Sequence, residues 1–329
     1  MTDQTVAILD PLHPRIIDTI RDRLPAGWTL SIAAGGSPEQ QKAAIAPADL
    51  AFVMAAPMPR PLLEAAGRLR FIQKLGAGVD RIDTGYCAER DIAVARLHAG
   101  NAIPVAEHTL LLILAACRQL PRLDRRTREG AWGKEEARGV NRQVHGKTVG
   151  LIGFGAIGRQ VARLLSGFDA DLAYFDPVRA DAATETALGV RYLALDDLLA
   201  RADIVSLHLP LLPETAGLLD AARLRSMKRG AILVNCARGG LVDEEALAEA
   251  LAAGHLFAAA IDAFAQEPPA GNPLLAMDAT VVTPHCAGAT IDNFASIADR
   301  AVANARRFLA GEALPPGDVV VPSRVPAAS

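Results

Sequence analysis

Arg238, Glu267 and His285 lie far apart in the chain, yet each stands shortly after an apolar run of the kind that forms a buried strand. Arg238 comes at the end of GAILVNCAR, within the stretch Gly230 to Leu247, and two glycines and an acidic helix start follow it. A guanidinium keeps its charge at any working pH, so its place at the end of a buried strand points to an anion held there. Its planar fork matches a carboxylate in a two-pronged geometry. His285, in Thr-Pro-His-Cys-Ala-Gly, can exchange a proton near neutral pH. Glu267, in Glu-Pro-Pro, can orient an imidazole and favour its charged form. Taken singly, these are a loop arginine, a surface histidine and a turn glutamate. Taken together, they fit acid–base chemistry on a small carboxylate.

That chemistry needs a scaffold whose strand ends share one edge. From Gly146 onward, strand and helix patterns alternate: KTVGLIG (147–153), DLAYFD (171–176), ADIVSLHL (202–209), AILVN (231–235), FAAAID (257–262) and ATVVTPH (279–285). Such alternation predicts an open parallel sheet, and ligands bind such sheets at the carboxyl ends of the strands. A first series precedes it, with VAIL (6–9), LSI (30–32), LAFVM (50–54), RFIQKL (70–75) and DIAVAR (91–96), separated by helix-like stretches such as Arg15 to Leu24 and Glu39 to Ile45. Between the two series, Asn101 is placed to cap an apolar helix running to about Leu120, with Pro104 in its first turn. Pro121 to Gly146 is polar and rich in arginine, shows no clear period and carries Trp132, which suggests an arm packing on another subunit. A last helix is expected over about Asp292 to Leu309, before a short Pro-rich tail.

Gly153-Phe-Gly155-Ala-Ile-Gly158 matches G-x-G-x-x-G. In a chain with 27 glycines the match alone is weak, and its context carries it. A strand precedes it, and a helix opens from it with Ile157, Val161, Leu164, Leu165 and Phe168 on one face. Gly153 allows the tight turn, Gly155 lets a pyrophosphate approach the backbone, and Gly158 lets helix and strand pack closely. Asp176 ends the next strand, where it can accept hydrogen bonds from an adenosine ribose and repel a 2′-phosphate. NAD is therefore expected rather than NADP, although Arg179 stands nearby.

The bulk composition is consistent with this. At 329 residues, 51% hydrophobic and 22% charged, the chain has enough for two domains with sizeable cores. A net charge of −3 gives no reason to expect nucleic acid or an anionic membrane as partner. The start, MTDQTVAILD, reads as no secretion signal, and the apolar stretch Thr109 to Cys117 is about half a membrane span and reads as a buried helix. Cys87, Cys117, Cys236 and Cys286 show no metal-site spacing, so reduced thiols in the cytoplasm and no metal are expected. Cys286 adjoins His285, but small residues surround it, and packing is its simplest role.

At this point the sequence resembles the NAD-dependent D-2-hydroxyacid dehydrogenase family. The resemblance rests on Arg238 in Asn-Cys-Ala-Arg-Gly, Glu267 in Ile-Asp-Ala-Phe-Ala-Gln-Glu-Pro and His285 in Thr-Pro-His. It includes Leu75-Gly-Ala-Gly-Val-Asp80, Asn101 to His108, the glycine fingerprint, and His208-Leu-Pro210 with Thr215, and so spans nearly the whole chain. It implies an α/β protein of two doubly wound parallel-sheet domains. A Rossmann cofactor domain, 101–289 with a dimerisation arm at about 101–146, would be inserted into a flavodoxin-like substrate domain, 1–100 plus 290–329.

The resemblance further implies that His285 is the proton donor, Glu267 its partner, and Arg238 the anchor of the substrate carboxylate and carbonyl. The backbone at Ala77 and Gly78 would add donors to that carboxylate. Leu75, with Met54 and Ala55, would line the side-chain pocket. Asp262 would lie near the nicotinamide, and Leu209, Pro210, Thr215, Cys236, Ala237, His285 and Gly288 would join Gly153, Gly155, Ala156, Ile157, Gly158 and Asp176 around the cofactor. Trp132 would belong to the arm and could reach a partner subunit's substrate site in a homodimer. A glyoxylate- or hydroxypyruvate-type reductase is the favoured member of this family, with phosphoglycerate dehydrogenase next. An NAD-sensing corepressor-like binding protein is the alternative of another class.

Overall fold

The structure is a computed structural model, and it describes residues 3–322. The first two residues of the N-terminal stretch and positions 323–329 of the expected substrate domain and its tail lie outside the described residues. The described strands are β1 (Gln4–Ile8), β2 (Trp28–Ile32), β3 (Leu50–Val53), β4 (Phe71–Lys74) and β5 (Ala93–Ala95), then β6 (Thr148–Ile152), β7 (Asp171–Phe175), β8 (Val190–Tyr192), β9 (Ile204–Leu207), β10 (Ile232–Asn235), β11 (Ala258–Ile261) and β12 (Thr280–Val282), and finally β13 (Val319–Val321). Two compact units divide the chain: one runs to Asn101 and resumes at Ala289, and the other is Ala102–Gly288.

The first unit holds a six-stranded sheet in the order β13-β5-β4-β3-β1-β2, parallel except for β13. Side chains alternate across it: Val6 and Ile8 face one core, Ala7 and Leu9 the other. The helix Ile291–Leu309 covers the first of these faces with Phe294, Ile297, Ala301 and Ala305.

The second unit holds a seven-stranded parallel sheet in the order β12-β11-β10-β9-β6-β7-β8. Burial on both faces explains the near-continuous apolar runs. Val149 and Leu151 of β6 and Val234 of β10 meet the helices Ala102–Arg118 and Ala156–Leu165 on one face. Ile152 and Leu233 meet Leu198, Leu247 and Leu251 on the other. The chain leaves β6 first toward β7 and later toward β9, so the reversal of strand order falls between β6 and β9.

Three sequence expectations need revision. The run from Pro121 to Gly146 lacks an apolar period but is largely helical, over Leu120–Arg128 and Lys134–Val140, and neither helix buries a residue. Charge pairing supports them instead of a core: Arg128 meets Asp124 one turn away at 2.8 Å, Arg126 meets Glu136 at 2.6 Å, Arg122 also meets Glu136, and Arg125 meets Asp278 at 2.6 Å. Gln119, at φ +49°, breaks the preceding helix. Asn101 does precede that helix, but its side-chain oxygen accepts no hydrogen bond, so it is not the cap. The Pro-rich tail contains β13, whose antiparallel pairing with β5 is anchored by buried Asp318. That carboxylate accepts from the His98 N–H at 2.8 Å and from Asn304 at 3.0 Å. The short strand β8 also went unforeseen. No single helix among the described residues is long and apolar enough to cross a membrane.

Candidate active site

Two stations lie along the carboxyl edge of the seven-stranded sheet. The first is the turn after β6. Gly153 has φ +97°, and a Cβ there would sit 2.6 Å from the carbonyl carbon and oxygen of His208. A Cβ on Gly158 would overlap the Gly153 carbonyl, whereas one on Gly155 would meet open space. The helix Ala156–Leu165 begins here, with Ala156 and Ile157 in its first turn, and no side chain caps it. Its free N–H groups and dipole suit a phosphate, and the open side of Gly155 leaves room for one. Asp176 follows β7; its Oδ2 accepts from Phe154 N at 2.7 Å and its Oδ1 from Val178 N at 2.9 Å. Each oxygen keeps a lone pair for a ribose hydroxyl. Arg179 points its guanidinium at Glu185 in a paired contact of 2.8 and 3.0 Å. The bond from Arg179, then one from the Tyr174 hydroxyl, lower the Glu185 carboxyl to about 2. These residues fit a dinucleotide.

His208 closes this station from β9. Its Nε2 lies 3.0 Å from Ser206 Oγ, and its Nδ1 is shielded without a partner. Burial lowers its pKa to about 4, so it is neutral at neutral pH. Leu209 is buried and Pro210 exposed beyond it. The Thr215 hydroxyl shapes the loop by donating to Pro210 O at 2.7 Å and accepting from Leu212 N at 2.8 Å.

The second station is formed by the loops after β10, β11 and β12, which are neighbours in the sheet. His285 Nδ1 lies 2.7 Å from Glu267 Oε1, with the histidine side chain 41% exposed and the glutamate 21%. Glu267 Oε1 also accepts from Phe264 N at 3.3 Å. His285 sits at φ +51°, a backbone region that costs a non-glycine residue about 1 kcal/mol. Its N–H bonds to the carbonyls of Asp262 at 2.8 Å and Thr283 at 3.0 Å hold it there.

Arg238 follows β10, half-buried, and its Nη1 donates to Ala237 O at 2.7 Å. The next residue, Gly239, packs so tightly that a Cβ would overlap the Phe264–Ala265 backbone. This contact locks the arginine loop against the glutamate loop. Glu244 reinforces it by accepting from Ala265 N at 2.7 Å and from the Asn272 amide.

Asp262 organises the station from below, and its side chain is fully buried. Its Oδ1 accepts from the Thr283 hydroxyl at 2.6 Å and Cys286 N at 2.9 Å, and its Oδ2 from Ala287 N at 3.0 Å. His108, on the helix Ala102–Arg118, approaches Thr283 Oγ1 at 3.2 Å and Asp262 Oδ1 at 3.6 Å. Cys236 and Ala237 are buried just after β10, and burial pushes the Cys236 thiol up to about 12. Gly288 ends this unit. Sequence reasoning assigned no role to His108, Thr283 or Glu244. The histidine and threonine fell inside recognised motifs, and Glu244 was visible only as an acidic helix start.

The remaining expected residues stand elsewhere. Leu75 is buried directly after β4 of the first unit, with Ala77 and Gly78 half-buried beyond it. Met54 and Ala55 follow β3, and their N–H groups bind the Asp10 carboxylate. Trp132 is 82% exposed in the loop between the two arm helices.

A doubly wound sheet with a glycine turn at its reversal and a histidine–glutamate pair at neighbouring strand ends defines a dinucleotide-binding α/β protein. Comparison narrows the class. Residues 110–287 match the NAD binding domain of the D-isomer specific 2-hydroxyacid dehydrogenases, and the chain belongs to that family. It is 39% identical over 318 residues to a D-3-phosphoglycerate dehydrogenase of Mycobacterium bovis, covering 96% of this chain and 58% of that protein. This chain thus spans under two thirds of that relative's length. A glyoxylate reductase of Korarchaeum cryptofilum is 37% identical over 263 residues, 79% of each chain. Among solved structures, an NAD-dependent formate dehydrogenase of Staphylococcus aureus in complex with NAD aligns with TM-score 0.86 at 29% identity, covering 97% of this chain and 99% of that one.

Proposed function

We propose that this protein interconverts a small 2-oxo acid and its D-2-hydroxy acid with NAD(H), most readily in the direction of a glyoxylate- or hydroxypyruvate-type reductase. The observation that carries the reading is the 2.7 Å contact between His285 and Glu267 at the strand edge that also bears Arg238. The chemistry of a bound nicotinamide is hydride transfer at the carbon bearing the oxygen. The protein's share is to hold substrate and to manage one proton.

Glu267 fixes the His285 ring through Nδ1, which leaves Nε2 to donate a proton to the oxygen in reduction and to remove it in oxidation. Arg238 holds the carboxylate and stabilises charge developing on the oxygen, where a fixed cation acts most strongly. Ala77 and Gly78 would supply backbone donors to the same carboxylate, and Leu75, Met54 and Ala55 the wall for its side chain. The fingerprint, Asp176, Leu209, Pro210, Thr215, Cys236, Ala237, Asp262 and Gly288 would receive NAD. The Arg179–Glu185 pair supports NAD over NADP, because it occupies the nearest guanidinium. The likeness to phosphoglycerate dehydrogenases keeps 3-phosphoglycerate as the second substrate reading. A homodimer joined through the arm, with Trp132 near a partner's site, and a cytoplasmic setting complete the proposal.

The test is a panel read by NADH absorbance: glyoxylate, hydroxypyruvate, pyruvate and longer 2-oxo acids, with 3-phosphoglycerate in the oxidative direction and NADPH in parallel. Turnover of the short acids that falls sharply in His285→Ala and Arg238→Ala supports the reading. Turnover unchanged in both variants overturns it, as does tight NADH binding without turnover of any acid.

A further inference from the structure

Beneath the acid–base pair, His108, Asp262 and Cys286 bring one imidazole, one carboxylate and one thiol together, with their donor atoms all within 4.8 Å of one another. They come from a helix, a strand end and a loop, so chain proximity does not explain the convergence. We propose that this cluster binds a borderline-soft divalent cation, zinc or cadmium, and that the bound ion inhibits the enzyme.

The donor set suits such an ion, since zinc takes nitrogen, oxygen and sulfur ligands together. Bond lengths of about 2.0–2.3 Å in a tetrahedron place donor atoms about 3.3–3.7 Å apart. His108 Nε2 and Asp262 Oδ1 already lie 3.6 Å apart. Against the 4.8 Å limit, the widest donor pair exceeds a tetrahedral edge by at most about 1.5 Å, a gap that side-chain rotation can close.

The Asp262 carboxyl group is fully buried; Oδ1 accepts from Thr283 and Cys286 N, Oδ2 from Ala287 N, and the Cys286 thiol also bonds to this group, a bond that thiol deprotonation would free for the ion. The Thr283 hydroxyl donates to Asp262, so the present contact with His108 requires a proton on Nε2. Metal binding would move that proton to Nδ1 and release the Cys286 proton to solvent, making it tighter at higher pH. Three protein donors leave a fourth position for water. Cys286 adjoins His285, so drawing its sulfur onto the ion pulls on the strained residue that holds the proton donor. The inhibitory consequence rests on the proposed role of His285; the binding does not.

The experiment titrates cadmium chloride into the reduced full-length protein, free of chelator, and follows the ultraviolet thiolate-to-cadmium charge-transfer band. One equivalent is expected to saturate it. Cys286→Ser should abolish the band, and His108→Gln should weaken binding about tenfold or more, as loss of even an outer metal partner does. A parallel measurement needs no variant: zinc should slow alkylation of Cys286 by iodoacetamide in the wild type, read by peptide mass. A wild type without the band, a band retained in Cys286→Ser, or Cys286 alkylated equally fast with zinc each overturns the site. Binding without chelator-reversible loss of turnover overturns the inhibition alone. Absence of turnover even without metal overturns the proposed function and leaves the site standing.

Discussion

The two stations on the edge of the seven-stranded sheet are built in opposite ways. The glycine turn is made of backbone and of missing side chains: Gly153 lies against the His208 carbonyl, and Gly158 against Gly153. The histidine–glutamate station is made of side chains, held by loops that the buried carboxyl group of Asp262 and Glu244 bind. Adding one methyl group should therefore damage the first station through shape. Removing one functional group should silence the second while the fold persists.

His285→Ala gives the largest expected effect. Turnover should drop about 10²–10⁴-fold, the usual worth of a positioned acid–base group, while NADH binding, read by fluorescence, stays near wild type. Equal losses in both measurements would erase the distinction between stations. Gly153→Ala should do the reverse. A methyl group facing the His208 backbone at φ +97° should abolish NADH binding and cost about 3 kcal/mol of stability, read by denaturant unfolding.

His208 sharpens the comparison by pH. Its pKa is lowered from 6.5 to about 4 in the folded protein, so the unfolded chain binds more protons between those values. Its contribution is therefore complete above about pH 6.5 and is lost as pH falls toward about 4, on the order of 3 kcal/mol. Denaturant midpoints at pH 7 and pH 4.5 should show His208→Gln losing less on acidification than wild type. The smallest effect is expected from Glu267→Gln, which keeps an oxygen to accept from Phe264 N and from the imidazole but drops the charge. Turnover should fall about tenfold, or about 1.4 kcal/mol, with melting unchanged.

The same contrast governs what could be read in advance. The turn was legible because three glycines at that spacing, between a strand and an amphipathic helix, serve little besides a tight bend that a phosphate can approach. The strand-edge positions of Arg238, Glu267 and His285 could be read because each follows an apolar run, β10, β11 or β12. Their supports Thr283 and His108 were not, since they act through contacts between distant segments, and Asp262 was placed only by resemblance, without its bonds to Thr283, Cys286 and Ala287. The arm helices were missed for a related reason: arginine–carboxylate pairs hold them, and pairing of this kind leaves no apolar stripe in the sequence. Strand β13 is three valines after prolines, and it gains meaning only from β5, more than two hundred residues earlier.

The helix Ile291–Leu309 and β13 leave the ribosome after the whole inserted unit, yet they complete the sheet begun by the first hundred residues. Until they emerge, Val6, Ile8, Leu50, Phe52 and Phe71 lack the cover that Phe294, Ile297 and Ala301 later supply. The inserted unit has its whole sheet in one continuous stretch and can mature first during synthesis. The nascent first sheet meanwhile keeps a greasy flank open, and its folding is completed only after the inserted unit has been made.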